Sequence, residues 1–381
     1  MARLGSAGAT GPPRTARGRA VRVLLAGAGA VGSWLGAVLA RGGVDVALVA
    51  RGAHLEAIRR DGLGVAGLGG APIDRLAIPA FGSVAEAART GPFDAVIVAV
   101  RSFDTEALGR ELADCPRLGP AVSFQNGVGN EAVLTATLAG RRVPDAGERP
   151  LADASGALAG TLTMPVWIEA PGVVATGPKG GAGIAAARPG QVAVRDGLVA
   201  GFVAGGLRAC AYDDGPAMKW SKLALNLLGA ATSALLGRPP SSLLTDRRWF
   251  GVERAVLREA LAVMRALDLH PVALPGYPVP MIAALARALP ERALYAVLAR
   301  RFAAGRSDRL PGLAADVAAG RAVTEIDALH GAVAATGAVL GVHTPVCQRV
   351  RDLVAVVVEG RVPLDAFAGN PARLLEALTA P

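Results

Sequence analysis

Residues 21–51 read VRVLLAGAGAVGSWLGAVLARGGVDVALVAR, and the fold turns on them. Residues 21–25 are β-formers that run into a glycine cluster, Gly27-Ala28-Gly29-Ala30-Val31-Gly32. A helical pattern follows over 33–41, Gly42-Gly43 ends it, and a second apolar run over 44–49 stops near Arg51. The spacing G-x-G-x-x-G means little alone. Set between a strand and a helix, with a second strand after it, it predicts a dinucleotide-binding unit. Gly27 lets the chain turn sharply out of the strand. Gly29 lets a pyrophosphate approach the backbone, and Gly32 lets the helix pack close to the strand. The N–H groups at the helix start attract the phosphates. Residues Gly27, Ala28, Gly29, Ala30, Val31 and Gly32 are therefore expected at the cofactor.

The end of the second strand bears on which cofactor. NAD-binding units usually place an acid there, on the ribose 2′-hydroxyl. Here the residues are Val49-Ala50-Arg51-Gly52, and Asp45 comes too early. An arginine suits a 2′-phosphate, as a planar cation with several donors. The expected cofactor is NADPH; the plainer reading of Arg51 is a solvated strand-end residue.

At 381 residues the chain holds two ordinary domains with real cores. No apolar run of about 18 residues lacks a glycine or a charge, which argues against a membrane span. Three distant cysteines, Cys115, Cys210 and Cys347, fit a reducing compartment, and a cytoplasmic location is expected. The four histidines show no metal-ligand spacing, and no metal is expected. The net charge of +9 raises nucleic acid as a partner, but the arginines are dispersed and aromatics make up only 4%, too few for stacking platforms. An arginine-rich surface suited to an anionic cofactor and substrate explains the charge. Of forty basic residues only Lys179, Lys219 and Lys222 are lysine. A lysine kept in such a chain is a candidate for work that arginine does badly, such as giving up a proton.

Residues 1–19 carry Gly, Pro and Arg and no acid, and read as a disordered leader. Residues 93–100 read as a fully buried strand ending at Arg101. Strand carboxyl ends face the ligand in such sheets, so Arg101 is expected at the cofactor, with a surface loop as the alternative. A short strand over 121–124 leads into Gln125-Asn126-Gly127. Asn126 sits where its amide can enter the crevice, although Asn-Gly is also simply a good turn. Residues 157–177 read as strands about a Pro171-Gly172 turn, and Asp213-Asp214-Gly215-Pro216 marks the boundary. The expected fold is α/β: a Rossmann-type doubly wound sheet over 20–214, then an all-α domain over 215–381. Helices are expected over 217–236, 246–267, 281–303 and 324–340. A cleft between the domains is the default active site.

The next informative stretch is Lys219-Trp220-Ser221-Lys222-Leu223-Ala224-Leu225-Asn226. On a helix Lys222 and Asn226 share a face, with Lys219 nearby. A partly desolvated lysine with another cation close has its pKa lowered toward use as a proton donor. The alternative is a solvated edge or a domain-interface pair. In Thr324-Glu325-Ile326-Asp327, Thr324 and Asp327 read as a helix-capping pair and Glu325 as an ordinary first-turn acid.

Together these stretches resemble the ketopantoate reductase family, the 2-dehydropantoate 2-reductases. The residues that carry the likeness are GAGAVG at 27–32, Arg51, QNG at 125–127, KWSKLALN at 219–226 and TEID at 324–327. The resemblance implies NADPH-dependent reduction of a 2-oxo acid, 2-dehydropantoate in the namesake enzymes of pantothenate biosynthesis. It puts the catalytic lysine on Lys222 and the cofactor-side and substrate-side asparagines on Asn126 and Asn226. The family's glutamate falls on Glu325, catalytic and near the cofactor, and its 2′-phosphate arginine on Arg51. A monomer or homodimer is expected.

Departures from the family pattern touch the substrate side. Ala230 stands where a second Asn is common, Gly312 where a Ser is common, and Arg101 where a Lys is usual. The segment between Asp316 and Glu325 is about one residue longer than in the family pattern. Two of these changes remove hydrogen-bonding groups from the expected pocket. A paralogue acting on another 2-oxo acid, an opine-type dehydrogenase and a non-catalytic NADPH sensor are the rival readings.

Overall fold

The computed structural model describes residues 3–4, 21–66, 72–304 and 309–379. Its strands are β1 (Arg3–Leu4), β2 (Arg22–Ala26), β3 (Asp45–Val49), β4 (Leu63–Val65), β5 (Asp74–Leu76), β6 (Ala80–Phe81) and β7 (Ala95–Val98). They continue with β8 (Ala121–Ser123), β9 (Leu158–Leu162), β10 (Val166–Ala170), β11 (Val173–Thr176), β12 (Ala182–Ala185) and β13 (Ala209–Tyr212). Nine form one sheet in the order β1-β13-β12-β9-β8-β7-β2-β3-β6. From β6 to β9 the pairing is parallel throughout. β2 lies between β3 and β7, so the strand order reverses there, and the crevice outside their carboxyl ends is where such sheets take ligands. Of the leader, only Arg3–Leu4 is described, as a strand antiparallel to β13; the rest of residues 1–20 lies outside the described residues.

The sheet is covered on both faces because its strands are apolar on both. Val23 and Leu25 of β2 pack into one cluster with Leu35 and Val38 of helix α1 (Ala30–Arg41) and with Phe202. Leu24 and Ala26, pointing the other way, join Leu108, Leu112 and Leu134. Leu108 and Leu112 come from α4 (Thr105–Ala113), Leu134 from α5 (Asn130–Leu138) and Phe202 from α6 (Val192–Ala204), while α2 (Gly52–Asp61) adds Leu55 and Ile58 to the first cluster and α3 (Val84–Ala88) adds Val84 and Ala87 to the second. A second sheet, β10-β11-β4-β5, lies against α1.

After Tyr212 the described chain is helical: α7 (Gly215–Leu227), α8 (Ala230–Leu236), α9 (Pro240–Thr245), α10 (Arg247–Ala266), α11 (Val279–Ala288), α12 (Glu291–Ala304), α13 (Gly312–Ala318), α14 (His330–Leu340), α15 (Pro345–Val358), α16 (Asp365–Ala368) and α17 (Pro371–Thr379). Their shared core includes Trp220, Trp249, Leu257 and Val333. Three expected helices differ. The one over 217–236 breaks at Leu228-Gly229, where Gly229 has φ +76°. The one over 281–303 breaks before Pro290, which cannot continue a helix without losing a backbone bond. The one over 324–340 begins only at His330, after a run of turns. Among the described residues no helix is long and apolar enough to cross a membrane.

Candidate active site

The glycine loop leaves β2 at Gly27 with φ +99°, and a Cβ there would lie 2.6 Å from Val100 Cγ1 and 2.7 Å from its backbone nitrogen. A Cβ on Gly32 would lie 2.3 Å from the Gly27 carbonyl oxygen, so the start of α1 and the turn are in contact through glycine alone. Above Gly29 a Cβ would meet nothing within 4 Å. Gly29 caps α1 without a side-chain hydrogen bond, and no acid occupies the first turn. Open space, outward N–H groups and no repelling carboxylate fit a pyrophosphate. His54 supports this loop, and nothing in the sequence marked it. Its Nδ1 accepts from the Gly172 N–H at 2.9 Å, leaving Nε2–H to meet Ser33 Oγ at 3.1 Å, which donates to the Ala28 carbonyl at 3.1 Å. Burial lowers the His54 pKa, which favours this neutral form. Arg51 follows β3, two residues past its last, as the N-cap of α2; it is exposed, with no side-chain hydrogen bond or ion pair among the described residues.

From α1 a cleft of about 590 Å³ runs between the two halves of the chain, lined by Val31, Asn126, Lys222, Asn226 and Gly312 among others. Lys222 and Asn226 are one turn apart on α7. Asp214 fixes where that helix begins, accepting from the Ala217 N–H at 2.8 Å, with Pro216 in the first turn. The opposite side of α7 is anchored by buried Trp220 and Leu227, which turns Lys222 and Asn226 to the cleft. Asn226 Nδ2 donates to Asn126 Oδ1 at 3.0 Å, joining the lysine helix to the QNG loop. The loop is itself braced: Asn130 Nδ2 and Ser102 Oγ both donate to the Asn126 carbonyl, at 3.0 and 2.9 Å. Gly127 packs so closely that a Cβ would lie 2.4 Å from the Ala328 carbonyl oxygen, which brings the loop against the turn that follows Glu325.

Two expectations need correction here. Lys219 is not a second cation beside Lys222. Its Nζ lies 3.0 Å from Glu131 Oε1 and donates to the Gln125 carbonyl at 2.7 Å, so an acid offsets its charge and it faces the sheet. Thr324 and Asp327 form no capping pair. Thr324 Oγ1 accepts only a long bond from the Ile326 N–H, 3.4 Å, and Asp327 is exposed and paired with Arg351. Glu325 is thus a buried turn residue and not a first-turn helix acid. Burial raises its pKa, opposed by Arg101 beside it, while Asp316 adds to the rise. Arg101 reaches Glu325 at 2.9 Å and Asp316 at 3.2 Å, so its guanidinium is held by two carboxylates. Ala230 is buried in the helical core and is not among the residues lining the cleft. Among the described residues no group of three or more His, Cys, Asp or Glu side chains is placed to hold a metal ion.

The family model described as Ketopantoate reductase PanE/ApbA matches residues 23–179, and the model for its C-terminal part matches residues 216–358. The chain belongs to the ketopantoate reductase family. A 2-dehydropantoate 2-reductase of Halobacterium salinarum is 28% identical over 344 residues, 88% of this chain and 98% of that one. Another, of Archaeoglobus fulgidus, is 40% identical over 116 residues, 30% of this chain and 36% of that one. The crystal structure of a ketopantoate reductase from Ralstonia eutropha JMP134 matches with a TM-score of 0.68 at 26% identity, over 90% of this chain and 99% of that one. D-mandelate dehydrogenase, in a ternary structure with NADH and anilino(oxo)acetate, matches with a TM-score of 0.70 at 19% identity, over 89% and 99% of the two chains, a likeness of fold. As a member of the ketopantoate reductase family, the chain is an oxidoreductase of the 2-dehydropantoate 2-reductase type, which reduces an oxo acid with a nicotinamide cofactor.

Proposed function

We propose that this ketopantoate reductase converts 2-dehydropantoate to pantoate with NADPH, and that Lys222 is its general acid. The observation that carries the proposal is the joining of Lys222, Asn226 and Asn126 in one cleft that starts at the glycine loop. The bound nicotinamide supplies the hydride for the ketone carbon. Lys222 hydrogen-bonds the ketone oxygen as negative charge grows there and delivers the proton to it. Asn226 and Asn126, already hydrogen-bonded to each other, hold polar groups of substrate and cofactor in a fixed geometry. Glu325 accepts from a substrate hydroxyl, and Gly27 to Gly32 cradle the pyrophosphate. The enzyme works in the cytoplasm as a monomer or homodimer; its three cysteines are unpaired, as suits a reducing compartment. The test is loss of NADPH absorbance on addition of 2-dehydropantoate to the purified full chain, with NADH in parallel. Turnover that requires NADPH and this substrate supports the proposal. Cofactor binding without turnover removes 2-dehydropantoate as the substrate.

Arg51 supports NADPH over NADH. It stands exposed just past the end of β3, with its donors engaged by nothing described. Charge-assisted bonds to a phosphate contribute about 1.5–3 kcal/mol. Replacing Arg51 with Asp is therefore expected to raise KM for NADPH about tenfold to a hundredfold and to leave KM for NADH unchanged or lower. Equal effects on both cofactors, measured from initial rates, would remove Arg51 from 2′-phosphate recognition.

A second reading keeps the chemistry and changes the substrate. The cleft wall includes Phe124, Leu162, Met164, Trp167, Leu225 and Tyr277. That much apolar surface favours a 2-oxo acid with a larger hydrocarbon side chain. Higher kcat/KM with an aromatic or long branched 2-oxo acid than with 2-dehydropantoate would select it.

A further inference from the structure

Arg101 leaves the carboxyl end of β7, yet its side chain ends in the helical domain. Nη1 meets Glu325 Oε2 at 2.9 Å, and Nη2 meets Asp316 Oδ1 at 3.2 Å. Both acids are buried, with side chains 9% and 3% exposed. Arg321 approaches the same Asp316 oxygen at 3.2 Å from the solvent side, so two carboxylates meet two guanidinium groups. A forked guanidinium can bridge two acids in fixed directions; a lysine ammonium at this position is a single point charge.

Space for that fork comes from a missing side chain. A Cβ on Gly312 would lie 3.1 Å from Arg101 Nη1 and 3.5 Å from Nη2. Gly312 has no positive φ, so its backbone accepts any residue. Crowding of the guanidinium is what opposes a larger one. Gly312 also lines the cleft that holds Lys222 and Asn226. Two departures from the family pattern, Arg101 and Gly312, 211 residues apart in the chain by their numbers, thus meet at one point.

We propose that Arg101 and Gly312 are a matched pair: the bare Cα of Gly312 admits the guanidinium, and Arg101 is a positioning residue that holds Glu325 and ties the two domains together beside the cleft. Its catalytic consequence rests on the reductase reading; its structural half does not. Arg101 and Asp316 are the charged groups that face Glu325, with Arg321 behind Asp316. Arg101 favours the ionised form of Glu325 and Asp316 opposes it.

The test is a double-mutant cycle in the full chain: Arg101→Lys, Gly312→Ser and both together. Gly312→Ser alone, which crowds the guanidinium, is expected to lower kcat/KM about tenfold. The double variant is expected to lose less than the product of the two single losses, because the shorter, unforked lysine leaves room for the hydroxymethyl group. Multiplicative losses, or a silent Gly312→Ser, would overturn the pairing. Should Gly312→Ser fail to fold, Gly312→Ala adds the Cβ alone and takes its place in the cycle. Urea-unfolding midpoints of the same four proteins are to show the same non-additivity. If the wild type turns over no 2-oxo acid, the reductase reading has failed and these midpoints decide the pairing by themselves. For positioning, Arg101→Met is expected to move the acid limb of the kcat/KM pH profile to higher pH, and Arg101→Lys to move it less. An acid limb left in place by Arg101→Met would overturn the positioning role.

Discussion

Lys222→Ala is expected to lower kcat by about a hundredfold to ten-thousandfold, with NADPH binding nearly unchanged. The size follows from what the cleft offers in place of the lysine. Asn226 and Asn126, hydrogen-bonded to each other at 3.0 Å, are amides and cannot supply a proton at neutral pH. Lys219 lies one turn away but is buried and held by Glu131 and the Gln125 carbonyl, so it cannot swing in. Arg101 is held by two carboxylates. Lys222→Arg keeps the positive charge and should recover little of the loss, because a guanidinium does not release its proton in the working pH range. Single-turnover kinetics together with a cofactor titration check both variants. Near-normal turnover in Lys222→Ala would take the lysine out of the mechanism; recovery in Lys222→Arg would mean that its charge matters and its proton does not.

The parts of this site that were legible in the sequence are those made within a few residues. The glycine loop announces itself because its spacing belongs to one strand-turn-helix unit, within which Gly32 approaches the Gly27 carbonyl. Lys222 and Asn226 share a face by helix period alone. The fold class follows from apolar strands alternating with helices, then helices only. What stayed hidden depends on partners far along the chain. Glu131 sits in a short helical stretch, and nothing local says that a lysine 88 residues on will pair with it. The acids that Arg101 meets come from 215 and 224 residues later. Propensity also misplaced helix ends where tertiary packing decided them. The stretch from Thr324 to Leu329 has good helix formers, yet it is held as turns, with the QNG loop pressed against Ala328.

Lys219→Met should destabilise the protein by about 3–5 kcal/mol, the usual result of removing one partner of a buried ion pair. The side chains of Lys219 and Glu131 are 5% and 8% exposed, so water screens neither charge well. Among the described residues no well-aligned hydrogen-bond donor reaches Glu131 Oε1, which leaves the nearby ammonium as its stabilising charge. Adding Glu131→Leu should restore most of the stability, since replacing both members of such a pair with apolar groups is often neutral. Urea denaturation of the two variants measures this directly. Stability regained need not be activity regained. Lys219 also donates to the Gln125 carbonyl at 2.7 Å, and the next residue is Asn126, the partner of Asn226. The double variant leaves that carbonyl without its ammonium donor, so the QNG loop loses its tie to α7 from below while Asn226 still holds it from above. A stable double variant with lowered kcat would show that Lys219 sets the position of Asn126. A stable double variant with full kcat would confine Lys219 to joining the domains.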